Sequence, residues 1–197
     1  MDENDKILEN QPAEEISSAE NNEGSAGKGI TFIYDTVSIF ATAIVIIAFI
    51  FTFIARFVGV SGASMNPTLY DEDWLLVSAV NTNIKQGDIV ISTQPNAFNE
   101  PIVKRVIAKG GQTVDIDFTK GVVYVDGEAL QEDYTAAPTY TSEGVTFPLV
   151  VPEGKLFLMG DNRNDSTDSR SPAIGCVDER YILGVVQYRM MPHFTKY

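Results

Sequence analysis

The sequence predicts a mainly β fold, in which a partly closed, barrel-like β domain follows one N-terminal transmembrane helix. The helix is predicted by a single long apolar run near the N-terminus. The β domain is predicted by the pattern beyond residue 56, where short apolar runs alternate with turn residues and show no helical periodicity. Short, frequent strands of this kind are typical of small barrels and related sheets.

Residues 1–29 form the first region and are strongly acidic. Asp and Glu far outnumber Lys6 and Lys28, large apolar residues are scarce, and several glycines close the stretch. A chain of this composition cannot bury enough apolar surface to offset the conformational entropy lost on folding. We therefore predict a disordered tail over residues 1–29 and assign it no function.

The apolar run Val37–Ala55 contains neither a charged residue nor a proline. As a helix it spans ~28 Å, close to the hydrocarbon thickness of a bilayer. A cleaved signal peptide would have a shorter apolar run, a basic segment before it and a small-x-small site after it. We therefore predict a transmembrane anchor over residues 30–56, with the lipid bilayer as partner. Lys28 and Arg56 flank the run on opposite sides, so charge alone gives it no orientation.

The remaining residues, 57–197, are assigned to one β domain. Asp126-Gly127 suits the type I′ turn of a two-residue β-hairpin, and Lys85–Asp88 is a second predicted turn. Residues 131–148 are polar and loop-like, and they fall within a small insert assigned to residues 115–150. The predicted strands are, in order, Trp74–Val80, Ile89–Ser92, Ile102–Ala108, Thr113–Phe118, Val122–Val125, Glu128–Leu130, Lys155–Met159 and Tyr181–Met190.

Composition excludes several classes of function. The formal net charge of −13, with no basic cluster, argues against a nucleic-acid partner. A single cysteine, Cys176, allows no intramolecular disulfide and no cysteine-rich metal site. A single histidine, His193, rules out a multi-histidine metal centre, so we predict neither metal nor cofactor. A Ser-His-Asp hydrolase would have to use His193, so a nucleophilic serine here is predicted to have a different base.

A stretch suited to catalysis lies just beyond the anchor, at Val60–Leu69. Gly62 and Pro67 bracket Ser64; glycine allows backbone conformations closed to other residues, and proline fixes its own φ. A serine on such a bend can present its Oγ and its backbone N–H in fixed positions, as a nucleophile beside an oxyanion site requires. The alternative is an ordinary turn with a surface serine.

Two adjacent cations, Lys104 and Arg105, interrupt a strand that is otherwise apolar. Side chains alternate along a strand, so one cation faces each side and at least one points toward an interior or a cleft. A lysine in apolar surroundings loses its proton readily and can then act as a general base, which an arginine cannot do. The alternative is an edge strand with two exposed cations.

A third stretch, Met159–Ser171, is dense in Asp, Asn, Ser and Arg directly after an apolar strand. It is compatible with a solvated loop, or with a calcium site, although it lacks the EF-hand glycine and glutamate pattern and carries two arginines. It is equally compatible with a hydrogen-bonded scaffold in which Asp168 and Arg170 pair and Ser166 orients a neighbouring group. The residues alone leave these three alternatives open.

Taken in order, the three stretches resemble bacterial type I signal peptidase. The motifs are an anchor, S-x-Met-x-Pro-Thr-Leu, Lys-Arg-Val-Ile and Gly-Asp-Asn-Arg-x-x-Ser-x-Asp-Ser-Arg, and the resemblance extends to about residue 185. It implies a membrane-bound serine endopeptidase with a Ser-Lys dyad, which removes signal peptides from exported preproteins after an Ala-x-Ala site. It also implies a cytoplasmic-membrane protein with its N-terminus inside and its catalytic β domain outside.

The resemblance assigns roles by position. Ser64 matches the nucleophile and, through its backbone N–H, one oxyanion donor; Lys104 matches the general base. Ser166 matches a serine that hydrogen-bonds the lysine, and Asp168 and Arg170 match a structural ion pair. Some relatives have a serine as second oxyanion donor where this chain has Gly62. Residues expected to line shallow substrate pockets are Val58, Val60, Leu69, Leu75, Ile102 and Val103.

Two alternatives belong to other classes. A self-cleaving repressor-type protease shares the Ser-Lys arrangement but would need a DNA-binding domain in place of the membrane helix. A membrane-anchored β domain used only for binding would leave Ser64 and Lys104 dispensable. Cleavage of a preprotein that is lost on Ser64→Ala separates the enzyme from the binding domain.

Overall fold

The computed structural model describes residues 13–80 and 83–197, with side chains from residue 31 onward. One helix, α1 (Ala13–Phe53), precedes twelve strands and a short 3-10 helix, Glu179–Tyr181. The chain divides into an N-terminal unit that ends at Phe49 and a β unit over Ile50–Tyr197. The strands are β1 (Ala55–Gly59), β2 (Trp74–Ser78), β3 (Ile89–Ser92), β4 (Ile102–Lys109), β5 (Thr113–Asp117), β6 (Val122–Val125), β7 (Glu128–Ala129), β8 (Leu149–Val150), β9 (Lys155–Met159), β10 (Val177–Asp178), β11 (Ile182–Met191) and β12 (Thr195–Lys196).

Helix α1 carries the apolar run of the sequence. Its Thr31–Phe53 portion is long and apolar enough to cross a membrane, and its side chains are exposed to the surroundings rather than packed inside the protein. The helix ends at Phe53, and Ala55 opens β1. The C-terminal end of the predicted apolar run therefore belongs to the first strand.

The N-terminal part of α1 lies within the segment that the sequence predicts to be a disordered tail. Residues 1–12 of that tail lie outside the described part of the chain, but the helix extends back to Ala13. No proline interrupts residues 13–53, and adding a turn to an existing helix costs less than starting a new one. The acidic composition predicts poor burial, and it does not prevent the backbone from continuing a helix.

A large, curled antiparallel sheet forms the main body of the β unit. Its strand order is β1-β2-β11-β3-β4-β9-β10, with β12 paired to β11. Alternate residues of β3 serve two apolar clusters: Ile89 and Ile91 pack with Leu69 and Leu75, whereas Val90 packs on the other cluster. The predicted mainly β, half-barrel fold is confirmed.

A smaller sheet, in the order β7-β6-β5-β8, comes from the segment between β4 and β9. Asp126 and Gly127 both have positive φ, at 53° and 85°, and join β6 to β7 as a two-residue turn. This geometry agrees with the predicted type I′ turn. The buried face of the smaller sheet packs against Ile107 of β4 and Phe157 of β9, which ties it to the large sheet.

The strand predictions are accurate where apolar runs are long enough. β3, β6 and β9 have the predicted bounds, and the other predicted strands differ by only a residue or two at an end. The strands that the sequence does not reveal are β1, β8, β10 and β12. Three of these have two residues each, too few to produce an alternating pattern.

Candidate active site

The stretch that contains Ser64 forms a compact loop after β1, which we call the Ser64 loop (residues 62–69). Two successive backbone hydrogen bonds shape it, from Asn66 N to Ala63 O at 3.1 Å and from Leu69 N to Met65 O at 2.9 Å. The side chains of Met65 and Leu69 are buried and anchor the loop in the core. Ser64, immediately before Met65, remains partly exposed, so its hydroxyl can be reached by another molecule.

The structure brings Ser64 and Lys104 together. Lys104 Nζ lies 2.7 Å from Ser64 Oγ, although forty residues separate the two in sequence. Lys104 sits in the middle of β4, opposite Val90 of β3. Only 4% of the residue is exposed. A rigid central strand thus carries the amine to a loop that presents the hydroxyl.

Burial lowers the pKa of Lys104 below its usual value, since an ammonium loses hydration in this site. The negative charges of Asp168, Glu143 and Asp161 act against this effect, and Arg170 adds to it. Burial is the largest of these causes, so the neutral amine is more accessible than in an exposed lysine. A neutral amine that contacts a hydroxyl can accept its proton.

The backbone N–H of Ser64, in the Ser64 loop, is the predicted oxyanion donor. Within the described residues, the N–H of Ser64 donates no hydrogen bond, which leaves it available to a ligand oxygen. Gly62 has a φ of +89° and donates its own N–H to Asp71 Oδ1 at 2.9 Å. A side chain at position 62 would meet open space but would have to adopt an unfavourable backbone conformation.

The polar stretch after β9 packs directly against the Ser64 loop. Asn162 donates from its backbone N to Ser64 O at 3.0 Å and from Nδ2 to Ala63 O at 3.1 Å. At Gly160, a Cβ atom would collide with the Ser64 carbonyl oxygen and the Ser166 side chain. Only glycine fits this close approach, so the glycine of the motif has a packing reason.

Asp168 and Arg170 form the ion pair expected from the sequence. Arg170 donates from Nε to Asp168 Oδ1 and from Nη2 to Oδ2, both at 2.8 Å, and both side chains are fully buried. Ser166 Oγ donates to Asp168 Oδ2 at 3.0 Å. Among the described residues, the hydroxyl of Ser166 thus contacts Asp168, and the partner of Lys104 Nζ is Ser64. A hydrogen bond from Ser166 to the lysine stays a prediction.

A second buried ion pair supports the site from the other side of β4. Arg105 donates from Nε to Asp161 Oδ1 at 2.8 Å and from Nη2 to Asp161 Oδ2 at 2.6 Å. Asp161 in turn accepts a hydrogen bond of 2.5 Å from Thr68 Oγ1 in the Ser64 loop. The guanidinium of Arg105 also lies 3.9 Å from the ring centroid of Tyr134.

The loop that leads to β8 is held by the same network. Arg163 forms two hydrogen bonds with the carboxylate of Glu132, at 2.6 and 2.7 Å. Tyr134 donates its hydroxyl to Glu132 Oε1 at 3.1 Å, and burial raises the pKa of Tyr134 to about 12. Sequence reasoning assigned no role to Glu132, Tyr134, Asp161 or Arg163. Asp161 and Arg163 stood in the polar motif, but their partners are distant in sequence.

Five of the six predicted pocket residues share one apolar cluster: Val58, Val60, Leu69, Leu75 and Val103. Leu69 and Leu75 are fully covered, whereas Val58 and Val103 keep exposed surface. Ile102 is the exception, because it packs with Val90 and Val106 on the other cluster. The reason is strand alternation, which turns Ile102 and Val103 to opposite faces of β4.

Sequence comparisons show that the chain is similar to known proteins of one family. A family model described as "Signal peptidase, peptidase S26" matches residues 33–191. The probable signal peptidase I-1 of Synechocystis is 34% identical over 172 residues, which cover 82% of this chain and 84% of that protein. The signal peptidase I of Bacillus licheniformis is 33% identical over 170 residues, covering 81% and 89%.

A solved structure of a signal peptidase I from Enterococcus faecalis V583 is 30% identical, with a TM-score of 0.44, and covers 53% of this chain and 97% of that one. The extent of the family match defines the class as a serine endopeptidase that removes signal peptides. The chain belongs to the signal peptidase family, peptidase S26. Membership and the apolar part of α1 both fit a membrane protein.

Proposed function

We propose that Ser64 and Lys104 form a Ser-Lys dyad that cleaves the signal peptides of exported preproteins after a small-x-small site. The observation that carries the proposal is the 2.7 Å contact between Lys104 Nζ and Ser64 Oγ, made by a lysine that is almost fully buried. A nucleophilic hydroxyl needs a base within hydrogen-bond reach, and burial supplies the neutral amine.

The chemistry proceeds in two stages. Neutral Lys104 takes the proton of the Ser64 hydroxyl while Oγ attacks the scissile carbonyl carbon, and the carbonyl oxygen becomes an oxyanion beside the Ser64 N–H. The resulting ammonium gives its proton to the leaving amine as the peptide bond breaks. Lys104 then deprotonates a water molecule that hydrolyses the acyl-enzyme and restores both side chains.

The polar segment after β9 holds Ser64 and Lys104 in position. Asp168 and Arg170 neutralise each other in the interior, and Ser166 is hydrogen-bonded to Asp168. We assign these three residues a supporting role behind Lys104. The backbone N–H of Ser64 supplies one oxyanion donor, and Gly62 has no side chain to supply a second.

The substrate site is assigned to the surface beside Ser64. Val58 and Val103 offer partly exposed, short apolar side chains, and Val60, Leu69 and Leu75 form the floor beneath them. Shallow apolar depressions of this kind accept alanine and exclude large side chains. We assign no cofactor to the reaction, because the proposed steps use only the serine, the lysine and water.

The topology belongs to the same proposal. Residues 30–56 form a single-pass anchor in the cytoplasmic membrane, residues 1–29 remain inside, and the catalytic domain, 57–197 with its insert 115–150, lies outside. The apolar Thr31–Phe53 helix supports the span. An anchored enzyme meets preproteins whose apolar signal segments occupy the same bilayer, which raises their effective concentration.

The test is cleavage of a purified preprotein by the full chain in detergent or vesicles. Ser64→Ala should abolish cleavage, since no other group replaces the nucleophile. Ser61→Ala is the matched control, because Ser61 is an exposed serine just before the same loop, and it should cleave as the wild type does. Cleavage by Ser64→Ala at the wild-type rate would reject the dyad.

A further inference from the structure

Thr68 lies at the far end of the Ser64 loop and is held through both its side chain and its backbone carbonyl. Its side chain donates to Asp161, whereas its backbone carbonyl accepts two hydrogen bonds from the β11–β12 hairpin. Tyr197 OH donates to Thr68 O at 2.9 Å, and Arg189 Nη1 donates to the same oxygen at 3.3 Å. A carbonyl oxygen has two lone pairs, and both are used here.

Arg189 is the centre of this arrangement. Besides Thr68, its Nη1 contacts the buried Asp73 Oδ2 at 3.3 Å. Its Nη2 donates to Thr195 Oγ1 at 3.1 Å, and its Nε donates to His193 O at 3.2 Å. Every nitrogen of the Arg189 guanidinium therefore makes a hydrogen bond. These bonds fix the plane of the group and direct Nη1 at the Thr68 carbonyl of the Ser64 loop.

Tyr197 is placed by the hairpin itself. β12 pairs with β11 through Tyr188↔Lys196 and Arg189↔Thr195, and Tyr197 N donates to Gln187 O at 3.0 Å. Burial raises the pKa of the Tyr197 hydroxyl, so it keeps its proton and remains a donor throughout the neutral range. The strand pairing thus delivers a neutral, rigid donor to a loop more than a hundred residues away in sequence.

The contacts of Arg189 and Tyr197 with the Thr68 carbonyl lie only a few residues from Ser64. Leu69 N bonds Met65 O, and Asn66 N bonds Ala63 O, so the carbonyl of Thr68 is only two tight turns from Ser64. A small displacement of a reacting group from its productive position can cost a large factor in rate. We infer that Arg189 and Tyr197 are positioning residues, which hold the Ser64 loop through the Thr68 carbonyl so that Ser64 Oγ stays in reach of Lys104. The inference rests on the dyad proposed above.

The experiment compares Tyr197→Phe with wild type in the full-chain enzyme, well below its unfolding temperature. The substitution removes one hydroxyl and keeps the ring. We expect kcat to fall about three- to tenfold, the worth of one neutral hydrogen bond. KM should stay within about twofold, because the pocket residues are untouched, and the acid limb of the pH profile should not move, because Lys104 is unchanged.

Tyr181→Phe is the matched control, since Tyr181 is an exposed tyrosine next to β11 whose hydroxyl makes no hydrogen bond to the described residues. Its kcat should equal that of the wild type. As a second variant, Thr195→Val removes one acceptor from Arg189 without unpairing its charge, and should lower kcat by a smaller factor. A Tyr197→Phe enzyme that loses thermal stability but keeps full kcat, or loses only in KM, overturns the inference.

The outcomes separate this inference from the dyad. Cleavage that survives in Ser64→Ala rejects the dyad itself. An inactive Ser64→Ala together with a fully active Tyr197→Phe rejects only the role of the hairpin.

Discussion

The two faces of β4 hold neighbouring cations in opposite ways. Arg105 is 8% exposed and Lys104 4%, so both charges are buried on the same strand. Arg105 faces a carboxylate with two hydrogen bonds, a backbone oxygen and an aromatic ring. Lys104, among the described residues, faces the neutral hydroxyl of Ser64.

Physical chemistry assigns different consequences to these environments. A buried charge is tolerated when it is paired and hydrogen-bonded, which describes Arg105 with Asp161. Lys104 lacks a carboxylate within hydrogen-bond distance among the described residues, and burial lowers its pKa. The pair of Arg105 and Asp161 therefore stabilises the fold, whereas the Lys104 amine can exchange a proton with a neighbouring group.

The sharpest test of the difference is Lys104→Met, which keeps an unbranched apolar side chain and removes the amine. If Lys104 is the base, cleavage should be lost to the detection limit, as in Ser64→Ala. Lys109→Met is the control, because Lys109 lies on the same strand and donates to the Ile84 carbonyl. It should retain activity. Wild-type levels of cleavage in Lys104→Met would remove the lysine from the mechanism.

The same variant has a predicted stability profile. Because the folded-state pKa of Lys104 is lowered, its charged form destabilises the fold below that pKa, and the penalty fades as the pH rises toward the unfolded value. The free energy of unfolding of Lys104→Met should equal or exceed that of the wild type near neutral pH, with the difference narrowing at alkaline pH. The prediction would be contradicted if the free energy of unfolding of Lys104→Met, relative to that of the wild type, were lower at neutral pH than at alkaline pH.

Arg105→Leu tests the structural side of the comparison. It leaves the fully buried Asp161 carboxylate with Thr68 Oγ1 as its remaining side-chain donor among the described residues. Breaking a buried pair in this way typically costs about 3–5 kcal/mol of unfolding free energy. Equilibrium unfolding of the full chain in micelles measures it.

Arg180→Leu is the matched control for that loss. Arg180 makes the same two-pronged contact with Asp178, but its side chain is 84% exposed. Solvent and salt screen such a pair, so its removal should change stability little. Equal losses in the two variants would show that burial does not distinguish these arginine–aspartate pairs.

The sequence predicts the directions of the Lys104 and Arg105 side chains better than it predicts their partners. Alternation along β4 predicts that Lys104 and Arg105 face opposite sides, and their contacts agree. The resemblance singled out Ser64 and Lys104, whose catalytic roles remain predictions, and the fold places them in contact. These inferences succeed because strand period and motif order are local properties of the sequence.

The partners of Arg105 and of Thr68 were not predictable from the sequence. Asp161 lies 56 residues from Arg105, and Tyr197 lies 129 residues from Thr68. Such pairings depend on strand order and on the course of loops, which the local pattern does not encode. The same limit applies to Ile102, because its motif position does not tell which face of β4 its side chain occupies.

The smallest predicted effect concerns Glu143, a carboxylate near Lys104 that the sequence did not single out. Its Oε1 is buried 3.1 Å from Arg170 Nη2, but off the direction of a hydrogen bond and without another partner in the described residues, so we treat the contact as Coulombic. Glu143 shares Arg170 with Asp168, and burial raises the pKa of the Glu143 carboxyl.

Glu143→Gln should move the acid limb of the pH–rate profile to lower pH. The groups that act on the Lys104 amine are Asp168, Glu143, Arg170 and Asp161, and the negative charge at Glu143 raises the lysine pKa against the effect of burial. Removing that charge lowers the pKa further, so the amine stays neutral in more acidic solution and cleavage persists there. Glu128→Gln, at an exposed position on β7, should leave the limb in place. A limb that stays fixed or moves to higher pH in Glu143→Gln would mean that Glu143 does not tune the lysine.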